Sequence, residues 1–343
     1  MPNRVLPAVA ALAVACLATA CGGSTAATES AGSSSSASGK TIWYADVIEA
    51  NPVSQAITQA VNTPLTAAGA TMTRSFSVNN TTGSIDPAVQ AEALTRAIGT
   101  QPAAIAYFVL DSKSMKPQVQ RARDKGIPVF AALGKPEGFD VNGYITNPDE
   151  EQGYQAAKYL ADHLPKGAKI ALIGGPVTPN VTAELAGAQR ALKEAGATIV
   201  GNLDQQRNLQ DNAAGGQTVM QGILQREPDV QGVFVYNDDS ALGAIAAAKQ
   251  SGKKIRFTSR NGTADAIAAI KAGDLLATCD LKPVEIGKAL GQAMVDHLSG
   301  VKTYDNNAQI PGPPADQCMV DKDNVAGWKP AEELIKFQTI KTG

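Results

Sequence analysis

Apolar positions along this chain recur in two alternating rhythms. Short runs rich in apolar and β-branched residues, "TIWYADVI" (41–48), "TMTRSFSV" (71–78), "AAIAYFVL" (103–110) and "PVFAAL" (128–133), read as strands. Between them the spacing loosens to a helical period over 54–68, 86–98 and 113–125. Gly69, Gly99 and Gly126 close these helices, where a left-handed C-cap favours glycine. The alternation restarts after "GYITNPDEEQG" (143–153), with strands over 169–175, 197–203, 232–237, 255–259 and 275–281. Helices are expected over 150–162, 182–195, 217–225, 240–250, 264–271 and 284–298. Near-continuous apolar strands separated by helices predict parallel sheets covered on both faces. The expected class is therefore α/β, with two doubly wound parallel-sheet lobes and a crevice at the carboxyl ends of their strands.

The first forty residues break this rhythm. Arg4, an apolar run over 6–17 and the small residues 18–20 form the charge, core and cleavage pattern of a secretory signal over 1–20. Cys21 follows directly, and the segment resembles the lipobox of bacterial lipoproteins, with Ala18 standing where Leu is usual. The resemblance implies diacylation of Cys21 as the mature N-terminus; the alternative is an ordinary cleaved signal that leaves a cysteine. From 21 to 40 the chain is rich in Ser, Gly and Ala without apolar periodicity, so it reads as a flexible tether with a reach of roughly 25 Å. No later segment approaches the length of a membrane span, so membrane contact is expected through the lipid anchor alone. That places the body on the extracytoplasmic face of the bacterial cell membrane.

The remaining length suits two domains. A net charge of −2 without a basic cluster argues against nucleic acid as a partner. Of four cysteines, Cys16 leaves with the signal and Cys21 is the anchor candidate. Cys279 and Cys318 are expected to pair in an oxidising compartment, the alternative being two separate buried thiols. Motifs for catalysis are missing. The two histidines, His163 and His297, stand apart near helix ends, away from metal-ligand spacing. G-x-S-x-G, Walker A and G-x-G-x-x-G are absent from the sequence, and "DKDN" (321–324) reads as a polar turn rather than a calcium loop. No catalytic role, metal or cofactor is expected, and the chain does not read as an enzyme.

Several segments resemble the type I periplasmic sugar-binding proteins, the ribose-type receptors of ABC importers. Asn51-Pro52 matches the family's Asn-Pro at the start of its first helix, and "VYNDDSALGAIAA" (235–247) matches its Asn-Asp-x-x-Ala-x-Gly segment. "NGTADAIAAIKAGDLLATCDLKPVEIG" (261–287) and "CMVDKDNV" (318–325) resemble the hinge-crossing run and the closing strand. The resemblance implies two lobes joined by three hinge segments, near 146–148, 281–283 and 303–311. The first lobe would comprise 41–146 plus 282–310, and the second 147–281 plus 311–343. It also implies a monomer that delivers its solute to ABC transporter permease subunits. "AEELIKF" (331–337) suggests a short packed amphipathic helix.

Recognition of a polyhydroxyl requires fixed Asp, Asn, Glu or Arg groups, and ring sugars add flat aromatic faces. By resemblance, the ligand-binding candidates are Asn51, Asn237, Asn261 in place of a family Asp, and Arg260 in place of a common aromatic. Asn51 and Asn237 read equally as helix caps. Val53 and Ser54 replace the family's aromatic pair, Leu133-Gly134 its Asp-Arg pair, and Glu184 a binding Arg. Asp46, at the end of the first strand, and Asp280, beside Leu281, are added acceptors. Trp43, Tyr107, Phe108 and Tyr236 are expected to pack within strands or to supply a ring platform. Fewer stacking faces and more acceptors favour a small polyol or short sugar over a hexopyranose. The alternative function is a signalling receptor for a small sugar-like molecule that docks on a sensor protein.

Overall fold

A computed structural model describes residues 36–343 except 50, 315 and 316. The signal, Cys21 and the tether up to residue 35 lie outside the described residues. The tether was expected to run to 40, yet Ala37 is buried in the first core and the Gly39 amide donates to the Gly69 carbonyl.

The chain opens with β1 (Thr41–Ala45), α1 (Pro52–Ala67), β2 (Thr71–Ser75), α2 (Pro87–Gly99), β3 (Ala104–Phe108), α3 (Ser112–Asp124), β4 (Val129–Ala132) and β5 (Gly143–Ile145). There follow α4 (Asp149–Asp162), β6 (Lys169–Ile173), α5 (Pro179–Glu194), β7 (Thr198–Val200), α6 (Ala213–Arg226), β8 (Gly232–Val235), α7 (Asp238–Gln250), β9 (Arg256–Asn261), α8 (Ala264–Ala272) and β10 (Ala277–Asp280). It closes with α9 (Pro283–Leu298), β11 (Ala308–Ile310), β12 (Met319–Asp321), α10 (Ala331–Leu334) and β13 (Lys341–Thr342). Among the described residues these strands form a seven-stranded sheet, ordered β11-β5-β4-β3-β1-β2-β13, and a six-stranded sheet, ordered β12-β10-β9-β8-β6-β7. Pairing is parallel except between β10 and β12. The class is thus α/β with two doubly wound lobes.

Each sheet is buried between helices. Ile42, Tyr44 and Phe130 anchor one core beneath α1 and α9, while Phe234, Val233 and Ile170 anchor that of the second lobe. In the second lobe α4 and α5 meet backbone to backbone. A Cβ on Gly153 would lie 2.0 Å from the Glu184 carbonyl oxygen, and one on Gly187 1.8 Å from that of Glu150. Glycine at these two positions lets α5 press its Glu184 face against α4.

The chain passes between lobes at 146–148, again at 281–282, and after β11. Because Ala308 to Ile310 pair with β5, the third passage falls at 311–318, later than the expected 303–311. The tail departs further from expectation. Residues 311–343 were assigned wholly to the second lobe, but β13 pairs with β2 in the first. The Gln338 amide and carbonyl exchange hydrogen bonds with Gln59, which ties the tail to α1.

Cys279 and Cys318 form a disulfide that ties β10 to β12 across a separation of 39 residues. The loop so closed contains α9 and β11, which belong to the other lobe. Closure of a loop this long removes about 4 kcal/mol of unfolded-chain entropy in the loop model. Replacing both cysteines with serine is expected to lower the unfolding free energy by about that amount, measured by urea titration. A loss below about 1 kcal/mol would show that β12 is held by its ladder instead.

Candidate functional site

A cavity of about 90 Å³ lies where the carboxyl ends of the two sheets face each other. Its first-lobe wall includes Asn51, Val53, Ser54 and Phe108, and its second-lobe wall Glu184, Asp211, Tyr236, Asn237, Arg260 and Asn261.

Two asparagines act as caps and cavity donors at once. The Asn51 side-chain oxygen accepts from the Val53 and Ser54 amides at 2.9 and 3.2 Å, stabilising the start of α1. Its Nδ2 crosses the cleft and donates to Asp211 Oδ2 at 3.1 Å. Asn237 repeats the device, capping α7 through the Ser240 amide at 2.9 Å while its Nδ2 donates to Asp211 Oδ1 at 2.6 Å. In each asparagine the side-chain oxygen caps the helix and the amide nitrogen is turned to the cavity.

Asp211 is the residue that sequence reasoning missed. The Tyr236 hydroxyl also donates to its Oδ1, at 2.5 Å. Its backbone is left-handed (φ 52°), a conformation Asp tolerates better than most residues, immediately before Asn212 caps α6. Burial pushes its carboxyl up to about 6, against the lowering effect of the hydrogen bonds from Tyr236, Asn51 and Asn237. A capping Asn212 at the start of a second-lobe helix was the available signal, since α1 and α7 begin at the cleft in the same way.

The floor of the second-lobe wall is a buried ion network. Arg260, on β9, donates from Nε to Gln152 at 3.0 Å, from one terminal nitrogen to Glu184 Oε2 at 3.1 Å, and from the other to Asp149. Glu184 is fully buried, and burial with the nearby Asp149 charge raises its carboxyl to about 8, despite Arg260. Its Oε1 has no hydrogen-bond partner among the described residues. One buried cation facing two carboxylates leaves one of them best accommodated as the neutral acid.

Two expected ligand contacts are corrected. Asp46 lies beneath the wall with its oxygens occupied: Oδ1 accepts from Ser54 Oγ at 2.9 Å and Val47 N at 2.7 Å, and Oδ2 from Thr58 at 2.5 Å. It orients Ser54 rather than facing the cavity, which Val47 lines. Asp280 accepts from the Lys282 amide at 2.8 Å and borders a separate hollow of about 440 Å³, while Leu281 faces the cavity. Of the four aromatics, Phe108 and Tyr236 line the cavity. Trp43 donates to Ser75 within the first lobe, and Tyr107 is buried in its core. Leu133 also lines the wall, whereas Gly134 packs against Val109. His163 stacks on Tyr159 and His297 meets Phe130 edge-on. Among the described residues no helix is long and apolar enough to cross a membrane.

Two α/β lobes thus turn hydrogen-bonding groups into the cleft between them. The chain belongs to the periplasmic binding protein domain family, whose profile matches residues 51–302. It is 33% identical over 192 residues to the ribose import binding protein of Bacillus subtilis, covering 56% of this chain and 62% of that protein. It is 28% identical over 215 residues to the xylitol-binding protein of Mycolicibacterium smegmatis, covering 62% of this chain and 61% of that protein. The chain therefore spans somewhat less than two thirds of the length of these relatives. In fold it is similar to the crystal structure of an ABC transporter solute binding protein from Agrobacterium vitis with bound allitol. That match has a TM-score of 0.70 at 18% identity and covers 84% of this chain and 97% of the other.

The Glu184 carboxyl gives a pH-dependent stability. In the unfolded chain it ionises near 4.5, while in the fold it keeps its proton to about 8. Unfolding therefore releases a proton between these values, and stability falls as pH rises through that window. Urea titrations from pH 6 to pH 9 (about the upper half of the window) are expected to show this fall and its flattening above about 8. Glu184→Gln should reduce the slope between pH 7 and 8; an unchanged slope would assign it to another group.

Proposed function

We propose that this protein captures a small polyol or short sugar between its lobes and delivers it to the permease subunits of an ABC transporter. In this reading it works as a monomer on the extracytoplasmic face of a bacterial membrane, held there by lipid on Cys21. It binds its solute and releases it unchanged.

The observation that carries the reading is Asp211. One carboxylate gathers donors from Asn51 on one wall and from Asn237 and Tyr236 on the other. Vicinal hydroxyls both donate and accept, so a polyol can insert among these four groups and satisfy them all. Such a ligand engages both walls at once and has more partners in a closed cleft than in an open one, which is what drives closure. A carboxylate on the second wall and Val53-Ser54 on the first supply hydroxyl partners and small apolar surface beside the rings of Phe108 and Tyr236. The relatives named for ribose and xylitol, and the solved neighbour holding allitol, support ligands of this size and chemistry.

Thermal shifts of the protein against xylitol, other tetritols to hexitols, pentoses and hexoses test this. A ligand at about a hundred times its dissociation constant adds about 2.7 kcal/mol. A shift with a short polyol or pentose is expected, and Asp211→Ala should weaken that binding at least about tenfold in calorimetry, since three donors lose their acceptor. Response to hexopyranoses alone would sink the polyol reading, and no response across the panel would sink the carbohydrate reading.

A further inference from the structure

The tail beyond β12 makes an additional connection between the lobes. Val325 is buried in the second-lobe core and Trp328 packs against it. A few residues on, Ala331, Ile335 and Phe337 pack with Ala60 of α1 and Val284 of α9, and Ile340 joins the first-lobe core. Gln338 then hydrogen-bonds Gln59, Asn62 and Thr66 on α1, before β13 pairs with β2. Residues past 302 also lie outside the match to the family profile.

The position of this crossing matters more than its existence. A hollow of about 440 Å³ separates it from the passage at 281–282; its walls include Pro52 and Val284 of the first lobe, Thr263 of the second, and the tail at Trp328 and Leu334. The tail is therefore set off from the hinge segments rather than bundled with them. A tether displaced from a rotation axis must lengthen as the bodies it joins rotate apart, whereas a segment on the axis need only twist. Between the two anchors only Lys329 and Pro330 are free, so Trp328 and Ala331 can separate by at most ~11 Å. Proline stiffens even that short link.

We propose that residues 328–343 act as a strap that limits how far the lobes open and keeps the resting cleft narrow. The inference requires that the lobes move but not that the ligand is a polyol, so its test uses the protein without ligand.

Small-angle scattering and amide hydrogen exchange on the full chain decide it. Ile335→Asp places a charge against Ala60 and Val284 and should release the strap, giving about tenfold faster exchange over 335–343 and a larger radius of gyration. Gln338→Ala removes the side-chain bonds to Asn62 and Thr66 while leaving the backbone bonds to Gln59 and the apolar contacts in place, and should move both readouts the same way by less. It also serves as the test if the aspartate variant does not fold. Faster exchange in the tail with an unchanged radius of gyration would overturn the proposal, because the segment would then be a cover and not a restraint.

Discussion

The contact between Asn51 and Asp211 is the point on which the rest of the cleft depends. Asn51 can reach Asp211 only because its other end is fixed as the cap of α1, and α1 is held by its packing against α9 and the first sheet. Asp211 stands in a left-handed turn immediately before the Asn212 cap of α6. The cleft is thus built from helix beginnings. In a parallel sheet every strand delivers the chain to the same edge, and the helix that follows starts there with free backbone amides. Capping those amides with asparagine places a second donor, the amide nitrogen, at the mouth of each lobe.

Burying charge behind this rim has its own logic. Arg260 lies in the floor with its guanidinium engaged by Gln152, Glu184 and Asp149, so it is braced rather than offered as a free cation. Removing one partner of such a network leaves a charge that low-dielectric surroundings tolerate poorly. Asp238 obeys the same rule by accepting from Ser259, Thr278 and Thr263, which ties β9, β10 and the start of α8 together. Asp238 is internal scaffolding, while the adjacent Asn237 faces the cavity.

The fold was legible because its signals are local and repeated: apolar strand, helical stripe, terminal glycine. Asn51, Asn237 and Arg260 were pointed to by the family resemblance, and the first two also mark helix starts in the pattern; all three line the cavity. Asp46 and Asp280 were misplaced by one position, their neighbours Val47 and Leu281 being the ones that line the cavity. Asp211 was not legible from its own surroundings. It stands in an irregular loop without periodicity, and its importance comes from residues some 160 and 26 positions away that only the tertiary fold brings to it. The tail was misassigned for the same reason. A short apolar run such as that ending in Phe337 shows that it will pack, but not on which lobe.

Covalent and non-covalent links reinforce one another around the hinge. The disulfide joins β10 and β12 at the second-lobe ends of two neighbouring passages, so the strands that lead into 281–282 and out of 311–318 cannot separate. Between those ends the chain runs through α9, the helix against which α1 packs. Asn51 sits at the beginning of α1 and Val284 at the beginning of α9, with Pro52 between the cleft and the outer hollow. A displacement of α1 is consequently felt at the cap that reaches Asp211 and at the Ala60–Ile335 contact together. Cleft, hinge and tail meet on one helix, and that shared element gives occupancy of the cavity a physical route to the tail.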